Sequence, residues 1–187
     1  MLTKFSVSNF KGFNSEIVLN LKDTNAYEFN KDCVKDGIVN NALIYGPNGV
    51  GKSNLGLAIF DIIGHLTDKE TNEPQYSFYL NAQNTQSKTA DFRYEFNFNS
   101  CVVVYEYKKS DHKNPLYESF SINGKQLAFI DRRISDEAQI IFKGAESLKN
   151  NLTNQNLSVL KYIKNNSVLD KNTENDCFLC FFKFIEG

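Results

Sequence analysis

Long apolar runs are missing from this chain of 187 residues, and none approaches the roughly 20 residues that a membrane-spanning helix requires. The first ten residues, MLTKFSVSNF, alternate apolar with polar side chains and lack the apolar core of a signal peptide. We therefore expect a cytoplasmic protein with no membrane segment.

An excess of charge of either sign is also missing. The chain has 21 Lys and Arg residues against 22 Asp and Glu residues, which gives a net charge of −1. This balance gives no overall support to the binding of nucleic acid or of an anionic membrane. A local basic patch stays open, with Arg132 and Arg133 as candidates either for DNA phosphates or for salt bridges. The charged stretch 108–113, KKSDHK, is predicted to be a solvated tip.

Cysteine and histidine are too few and too scattered for a disulfide framework or a zinc site. His65 and His112 are isolated, and Cys177 and Cys180 have no second cysteine pair to complete a metal site. We interpret the last two cysteines as core residues and His65 as a helix-end residue. The pattern is typical of reduced, cytoplasmic thiols. The four cysteines are Cys33, Cys101, Cys177 and Cys180.

The first third of the chain has the predicted order strand, strand, loop, strand, helix. Residues 2–10 and 16–22 alternate apolar and polar side chains, which predicts a hairpin with a turn at 11–15. Residues 22–37 carry no period and are predicted to be a loop. The mostly apolar run GIVNNALIY, 37–45, predicts a buried central strand. Apolar side chains then recur every three or four residues, which predicts a helix over Gly51–Leu66.

The rest of the chain is predicted to be a polar connector over 67–90, then strands and short helices. DFRYEFNF and CVVVYEY predict two strands joined at Asn99–Ser100, and Asn123–Gly124 predicts a second hairpin with a type I′ turn. One or two helices are predicted over 131–176, most clearly at LSVLKYI. The last segment, CFLCFFKFIEG, predicts an apolar strand, and such a strand beside the last residue suggests that the chain continues in a longer protein.

The most specific motif is Gly46-Pro-Asn-Gly-Val-Gly-Lys-Ser53, which matches the P-loop or Walker A pattern between a predicted strand and a predicted helix. Glycines let the backbone approach phosphate oxygens, and the N–H groups of the loop and the helix start attract an anion. In such a loop Lys52 acts on the β- and γ-phosphates as the predicted catalytic residue, and the Ser53 hydroxyl is a ligand of Mg²⁺. The predicted binding residues are Gly46, Pro47, Asn48, Gly49, Val50, Gly51, Lys52, Ser53 and Asn54.

Hydrolysis requires a second acidic group, which usually follows four apolar residues. Asp131 ends the segment LAFID, but this segment follows the Asn-Gly turn as a return strand, and Arg132 comes next. Glu186 follows FFKFI, which Lys183 interrupts. We therefore expect the catalytic carboxylates to lie outside these 187 residues.

The opening KFSVSNFKGF together with ALIYGPNGVGKSNL resembles the N-terminal part of ABC-type AAA ATPases of the RecF, SMC and overcoming-lysogenization-defect group. More narrowly, it is similar to ATPases of bacterial antiphage systems, including retron- and Septu-associated ones. The resemblance depends on the turn Asn9–Phe13, on Asn48 and on Asn54. It is strong over residues 1–67, moderate over 91–133 and vague beyond. It implies that the nucleotide is ATP with Mg²⁺, and that Lys11 contacts it.

The fold that the resemblance implies is α/β, a P-loop NTPase of the ABC ATPase-like class in which an N-terminal lobe carries an antiparallel β-subdomain. The nucleotide-binding lobe would cover 1–67, a connector and the β-subdomain 68–133, and a helical segment with a return strand 134–187. In such proteins two heads sandwich ATP, which implies a homodimer or higher oligomer and an effector protein as a further partner. The family's signature motif and Walker B strand are not visible in this sequence.

Three functions stay open at this point. The first is the ATP-binding portion of a dimerising ATPase that controls an effector in bacterial antiphage defence. The second is an SMC- or RecF-like head that clamps or repairs DNA. The third is a nucleotide-binding module that needs a partner chain for hydrolysis.

Overall fold

A computed structural model describes residues 1–25, 29–69, 73–98 and 101–187 of the chain. These residues form a mixed α/β structure with a seven-stranded antiparallel sheet, a separate two-stranded pair and three α-helices. Within these ranges no helix has both the length and the apolar character needed to cross a membrane. In chain order the elements are β1 (Leu2–Ser8), β2 (Ile17–Asn20), β3 (Val34–Lys35), β4 (Ile38–Val39), α1 (Lys52–Leu66), β5 (Ala90–Phe98), β6 (Cys101–Lys109), β7 (Pro115–Ile122), β8 (Lys125–Asp131), β9 (Gln139–Ile140), α2 (Val159–Asn166) and α3 (Thr173–Glu186).

The main sheet has the strand order β2-β1-β5-β6-β7-β8-β9, with every neighbouring pair antiparallel. The predicted hairpins β1–β2, β5–β6 and β7–β8 are therefore confirmed. Asn123 and Gly124 have φ values of 50° and 80°, as the predicted turn between β7 and β8 requires. The turn predicted at Asn99–Ser100 lies outside the described residues.

Helices cover one face of this sheet, and aromatic side chains fill the space between the two layers. Strand alternation sends Phe92, Tyr94 and Phe96 of β5 into the core. Helix α3 packs against β5 and β6 and also against α1. The ring centroids of Phe96 and Phe181, from β5 and α3, lie 5.4 Å apart in an edge-to-face arrangement.

The buried central strand predicted over 37–45 is wrong. Only β4 is extended and paired, and its partner is the two-residue β3, within a segment predicted to be a loop. Residues 40–45 leave the strand, and Leu43 and Tyr45 are each 87% exposed. A strand needs a neighbour that satisfies its N–H and C=O groups, and no described strand pairs with residues 40–45.

The strand predicted at the end of the chain is also wrong, because this segment is helix α3. The side-chain oxygen of Asn172 accepts a 2.9 Å hydrogen bond from the N–H of Asn175 and caps the helix. Acidic residues occupy the first turn, where the helix dipole favours negative charge. The buried side chains recur at helical spacing at Cys177, Phe178, Phe181, Phe182 and Ile185.

Helix α2 confirms the helix predicted at LSVLKYI. The main sheet draws its strands from all three predicted segments, since β1 and β2 come from 1–67, β5 to β8 from 68–133 and β9 from 134–187. The division of the chain into domains stays a prediction.

Candidate functional site

The glycine loop lies directly before helix α1, which begins at Lys52, one residue after the predicted start at Gly51. Gly49 and Gly51 have φ values of 86° and 99°, in the left-handed region that glycine adopts at little cost. Gly51 is the N-cap residue, and no side chain of the described residues caps this end. The first N–H groups of a helix have no partner within the helix, and the dipole adds positive potential there. The loop therefore has the backbone conformation and the electrostatics that suit an anion.

A cleft of about 400 Å³ opens at this end of α1. Its walls consist of predicted binding residues, and none of the described residues in them is a carboxylate. The lining residues are Asn48, Gly49, Gly51, Lys52, Ser53 and Asn54.

Gly46, Pro47 and Val50 are predicted binding residues that do not line the cleft, and each contacts another residue of the loop. The Lys52 ammonium donates hydrogen bonds of 2.7 Å to the carbonyl oxygens of both Gly46 and Pro47. The Val50 side chain approaches Gly46 so closely that a Cβ there would lie 3.3 Å from Val50 Cγ2. The Lys52 charge is thus held beside the loop. A bound phosphate would replace these carbonyls as the acceptor of the hydrogen bonds from Lys52.

The turn between β1 and β2 packs against the start of α1. A Cβ on Gly12 would lie 3.2 Å from Asn54 Nδ2, and a Cβ on Gly51 would lie 2.8 Å from Phe13 Cε1. The second distance is shorter than real contacts allow, so a side chain at position 51 would have to displace the Phe13 ring. The turn that carries the family resemblance is therefore a neighbour of the loop in space as well as a motif in the sequence.

Lys11 lies in this turn but outside the lining of the cleft. Its ammonium donates a 3.0 Å hydrogen bond to the carbonyl of Ser77, and its N–H donates a 2.9 Å bond to the carbonyl of Tyr79. Partial burial lowers the pKa of Lys11 below its ordinary value. The predicted contact between Lys11 and the nucleotide stays a prediction, since its charge is directed at the segment 77–79.

Asp131 and Glu186, the two carboxylates considered for hydrolysis, do not line the cleft. Asp131 accepts two hydrogen bonds from the Arg133 guanidinium, at 2.7 and 2.6 Å, and Glu186 pairs with Lys164. The part of the chain that the structure describes holds no group of three or more acidic, histidine or cysteine side chains that could bind a metal. The lining residues offer Mg²⁺ the hydroxyl of Ser53 and no carboxylate.

A buried ion pair, which the sequence analysis missed, fixes helix α1 to the sheet. Asp61 of α1 accepts a 2.7 Å hydrogen bond from the ammonium of Lys109, and both side chains are 2% exposed. The hydroxyls of Tyr79 and Tyr107 donate to the same carboxylate at 2.9 and 2.8 Å. Burial and the Asp61 charge raise the pKa of both tyrosines well above its ordinary value, so both keep the protons they donate. The prediction that 108–113 is wholly solvated is therefore wrong at Lys109.

A second buried cluster surrounds His65, one helical turn after Asp61. His65 Nε2 lies 2.8 Å from Tyr105 Oη and 3.6 Å from Glu118 Oε2. Glu118 also accepts a 2.6 Å hydrogen bond from the Ser158 hydroxyl and a 3.0 Å bond from the N–H of Val159, at the start of α2. Burial lowers the pKa of His65, and the Lys109 charge lowers it further, against the raising effect of Glu118. His65 is therefore a neutral, buried contact between α1 and the sheet.

Arg132 and Arg133 both take the salt-bridge alternative. Arg132 is buried, with hydrogen bonds of 3.2 and 2.7 Å to the carbonyls of Pro115 and Leu157 and a distance of 3.6 Å to Glu118. Arg133 pairs with Asp131. Arg132 thus offers no exposed charge to a phosphate backbone.

The contacts of Asp61 and His65 attach helix α1 to the sheet. Asp61 follows Lys52 by nine residues, or about 14 Å along a helix axis. One end of α1 therefore presents the candidate site, and the other end is anchored in the sheet.

Comparison of the chain with models of known protein families finds no match, and comparison with curated proteins finds none either.

Proposed function

We propose that the chain binds the phosphates of ATP, with Mg²⁺, in the cleft at Gly46–Ser53, as the ATP-binding portion of a P-loop NTPase of the ABC type. The observation that carries the proposal is the meeting of three anion-binding features in one place. The left-handed glycines, the uncapped helix start and the Lys52 ammonium all belong to a single loop. A bound Mg²⁺ would supply charge neutralisation of the phosphates, with the Ser53 hydroxyl as its ligand.

The proposal is tested by measuring MgATP affinity with isothermal titration calorimetry. Lys52→Ala removes a charge-assisted contact and is expected to weaken binding by about 10- to 150-fold. Lys171→Ala, at an exposed lysine before α3, is the matched control and should bind as the unchanged protein does. Equal affinity of the Lys52→Ala variant and the unchanged protein would contradict the proposal, as would no binding by the unchanged protein.

Binding without hydrolysis is what we infer for this chain alone. The cleft lining offers no carboxylate that could orient a water molecule beside the phosphates. This favours the module that needs further protein for hydrolysis, and a phosphate-release assay on the chain tests it. Steady release that is lost in Lys52→Ala would show that this chain hydrolyses the nucleotide without further protein and would contradict the inference.

The output in bacterial antiphage defence, through a homodimer or higher oligomer that controls an effector, depends on the family resemblance alone. The alternative of a DNA-clamping head draws no support from the net charge or from the buried Arg132. Analytical ultracentrifugation with and without MgATP tests the dimer, which should form only with nucleotide and not in Lys52→Ala.

A further inference from the structure

Phe78 combines two features that seldom occur together in a bulky residue. Its φ is 55°, in the left-handed region that side chains other than Asn, Asp and Gly rarely adopt. Its side chain is 88% exposed. Such strain persists where the surrounding structure holds it, and it occurs often at ligand sites. An exposed aromatic ring that no packing requires, on a backbone held under strain, points to a contact that lies outside the chain.

Hydrogen bonds on both sides hold Phe78 in this position. The Lys11 ammonium donates to the Ser77 carbonyl at 3.0 Å, and the Lys11 N–H donates to the Tyr79 carbonyl at 2.9 Å. Tyr79 is itself anchored in the core through its 2.9 Å hydrogen bond to Asp61. The ring of Phe78 is therefore presented at the surface by a fixed backbone.

This fixed segment is continuous with the candidate phosphate site. Lys11, which bonds to residues 77 and 79, is followed by Gly12, which approaches the Asn54 side chain. Phe13 then packs against Gly51. The turn thus connects the segment that carries Phe78 to the start of α1 through a short series of direct contacts.

We propose that the Phe78 ring is the stacking surface for the base of the nucleotide whose phosphates lie in the Gly46–Ser53 loop. This inference rests on the proposed function, because it takes the phosphate site as given. An aromatic face stacks on any base, since every base has a π-face. Phe78 then adds affinity for the nucleoside part of the ligand and does not distinguish adenine from guanine.

The test compares three probes with Mg²⁺ by calorimetry: ATP, GTP and inorganic tripolyphosphate, which has the phosphates and lacks the base. Phe78→Ala and Phe78→Leu remove the ring, whereas Phe78→Tyr keeps it. Ile134→Ala is the control, because Ile134 is a comparably exposed apolar residue, at 85%, after β8. Truncation of an exposed side chain leaves the core intact, and circular dichroism melting curves check this for each variant.

Phe78→Ala and Phe78→Leu are expected to weaken ATP and GTP alike, by about 5- to 150-fold, the range found for base–aromatic stacking. Tripolyphosphate affinity should stay unchanged, and Phe78→Tyr and Ile134→Ala should bind all three probes as the unchanged protein does. Unchanged ATP affinity in Phe78→Ala would overturn the inference. An equal loss for ATP and tripolyphosphate would also overturn it, because that result indicates a displaced loop.

The two proposals fail in different ways. If the unchanged protein binds none of the three probes, the proposed function fails and this inference falls with it. If Lys52→Ala weakens all three probes while Phe78→Ala weakens none, the phosphate site stands and the stacking role is wrong.

Discussion

The buried pair Asp61–Lys109 allows a quantitative test of what anchors helix α1. Lys109→Met keeps the volume of the side chain and removes its ammonium, which leaves the Asp61 carboxylate in the core with two tyrosine donors. Removing one partner of a buried pair typically costs about 3–5 kcal/mol, because the other charge stays desolvated. A domain of this kind is stabilised by only about 5–15 kcal/mol, so this loss is a large fraction of the total. The expected fall in melting temperature is about 6–20 °C.

A double-mutant cycle separates the pair from its surroundings. Asp61→Asn alone removes the negative charge and leaves the buried Lys109 ammonium with neutral acceptors, among them the His112 carbonyl at 3.4 Å, so it should cost a similar amount. Asp61→Asn with Lys109→Met removes both charges and should be more stable than either single variant, since replacing both partners of a buried pair is often nearly neutral. Lys108→Met is the matched control, because Lys108 faces the side of the sheet opposite to Lys109, is 34% exposed and pairs with Asp91 of β5. That change should cost no more than about 1 kcal/mol.

Urea unfolding followed by far-ultraviolet circular dichroism measures each free energy of unfolding. The reasoning is refuted if Lys109→Met costs no more than Lys108→Met, or if the costs of the two single variants simply add in the double variant. If Lys109→Met does not fold, a folded double variant still supports the conclusion that the unpaired Asp61 charge causes the loss. An unfolded double variant refutes the expectation that neutral side chains can replace the ion pair.

Two further predictions concern the loop and the second buried cluster. Gly51→Ala should lower the free energy of unfolding by at least about 1–2 kcal/mol through its φ of 99°, and by more through the clash with Phe13. In the double variant with Phe13→Ala the clash should be relieved, whereas the backbone strain should remain. Urea unfolding that finds no loss of stability in Gly51→Ala would falsify this. Because burial holds the pKa of His65 below its ordinary value of 6.5, the unfolded chain takes up the proton first as the pH falls. The stability due to neutral His65 is thus complete above pH 6.5, and the free energy of unfolding should fall by up to about 1.4 kcal/mol by pH 5.5. If the free energy of unfolding of His65→Gln falls with pH at the same slope, the prediction is contradicted.

Local sequence signals predicted most of the elements correctly because those elements depend on short-range physics. The alternation in β5 and β6 and the positive-φ pair Asn123–Gly124 specify strands and a turn without reference to the rest of the chain. The spacing of apolar side chains likewise predicted α1 to within one residue at its start. The glycine pattern predicted a loop with left-handed positions at the start of that helix.

The sequence analysis failed where an apolar run has no clear period. In CFLCFFKFIEG nearly every side chain is apolar, so helix and strand both fit the run, and the decisive cap at Asn172 lies outside it. In GIVNNALIY the composition favours a buried strand, yet a strand also requires a partner that the run itself does not supply.

The buried charges could have been found from the parity of the strands. Lys109 continues the inward-facing series Cys101, Val103, Tyr105 and Tyr107 at alternate positions of β6, and Glu118 shares the parity of Phe120 and Ile122 in β7. Asp61 falls on the apolar face of α1 between Ala58 and Ile62. These positions predict that the charges are buried, but they do not reveal which charge meets which.

The sequence by itself thus determined the strand alternation, the hairpin turns, the P-loop pattern and the helix that follows it, because neighbouring residues settle each of them. Only the tertiary structure decided that Asp61 pairs with Lys109, that His65 is neutral and buried, and that Phe13 and Gly12 pack against the loop. It also decided that Lys11 holds the segment 77–79, with Phe78 exposed within it. Those contacts join residues far apart in the chain, and their energies depend on the burial that the folded layers create.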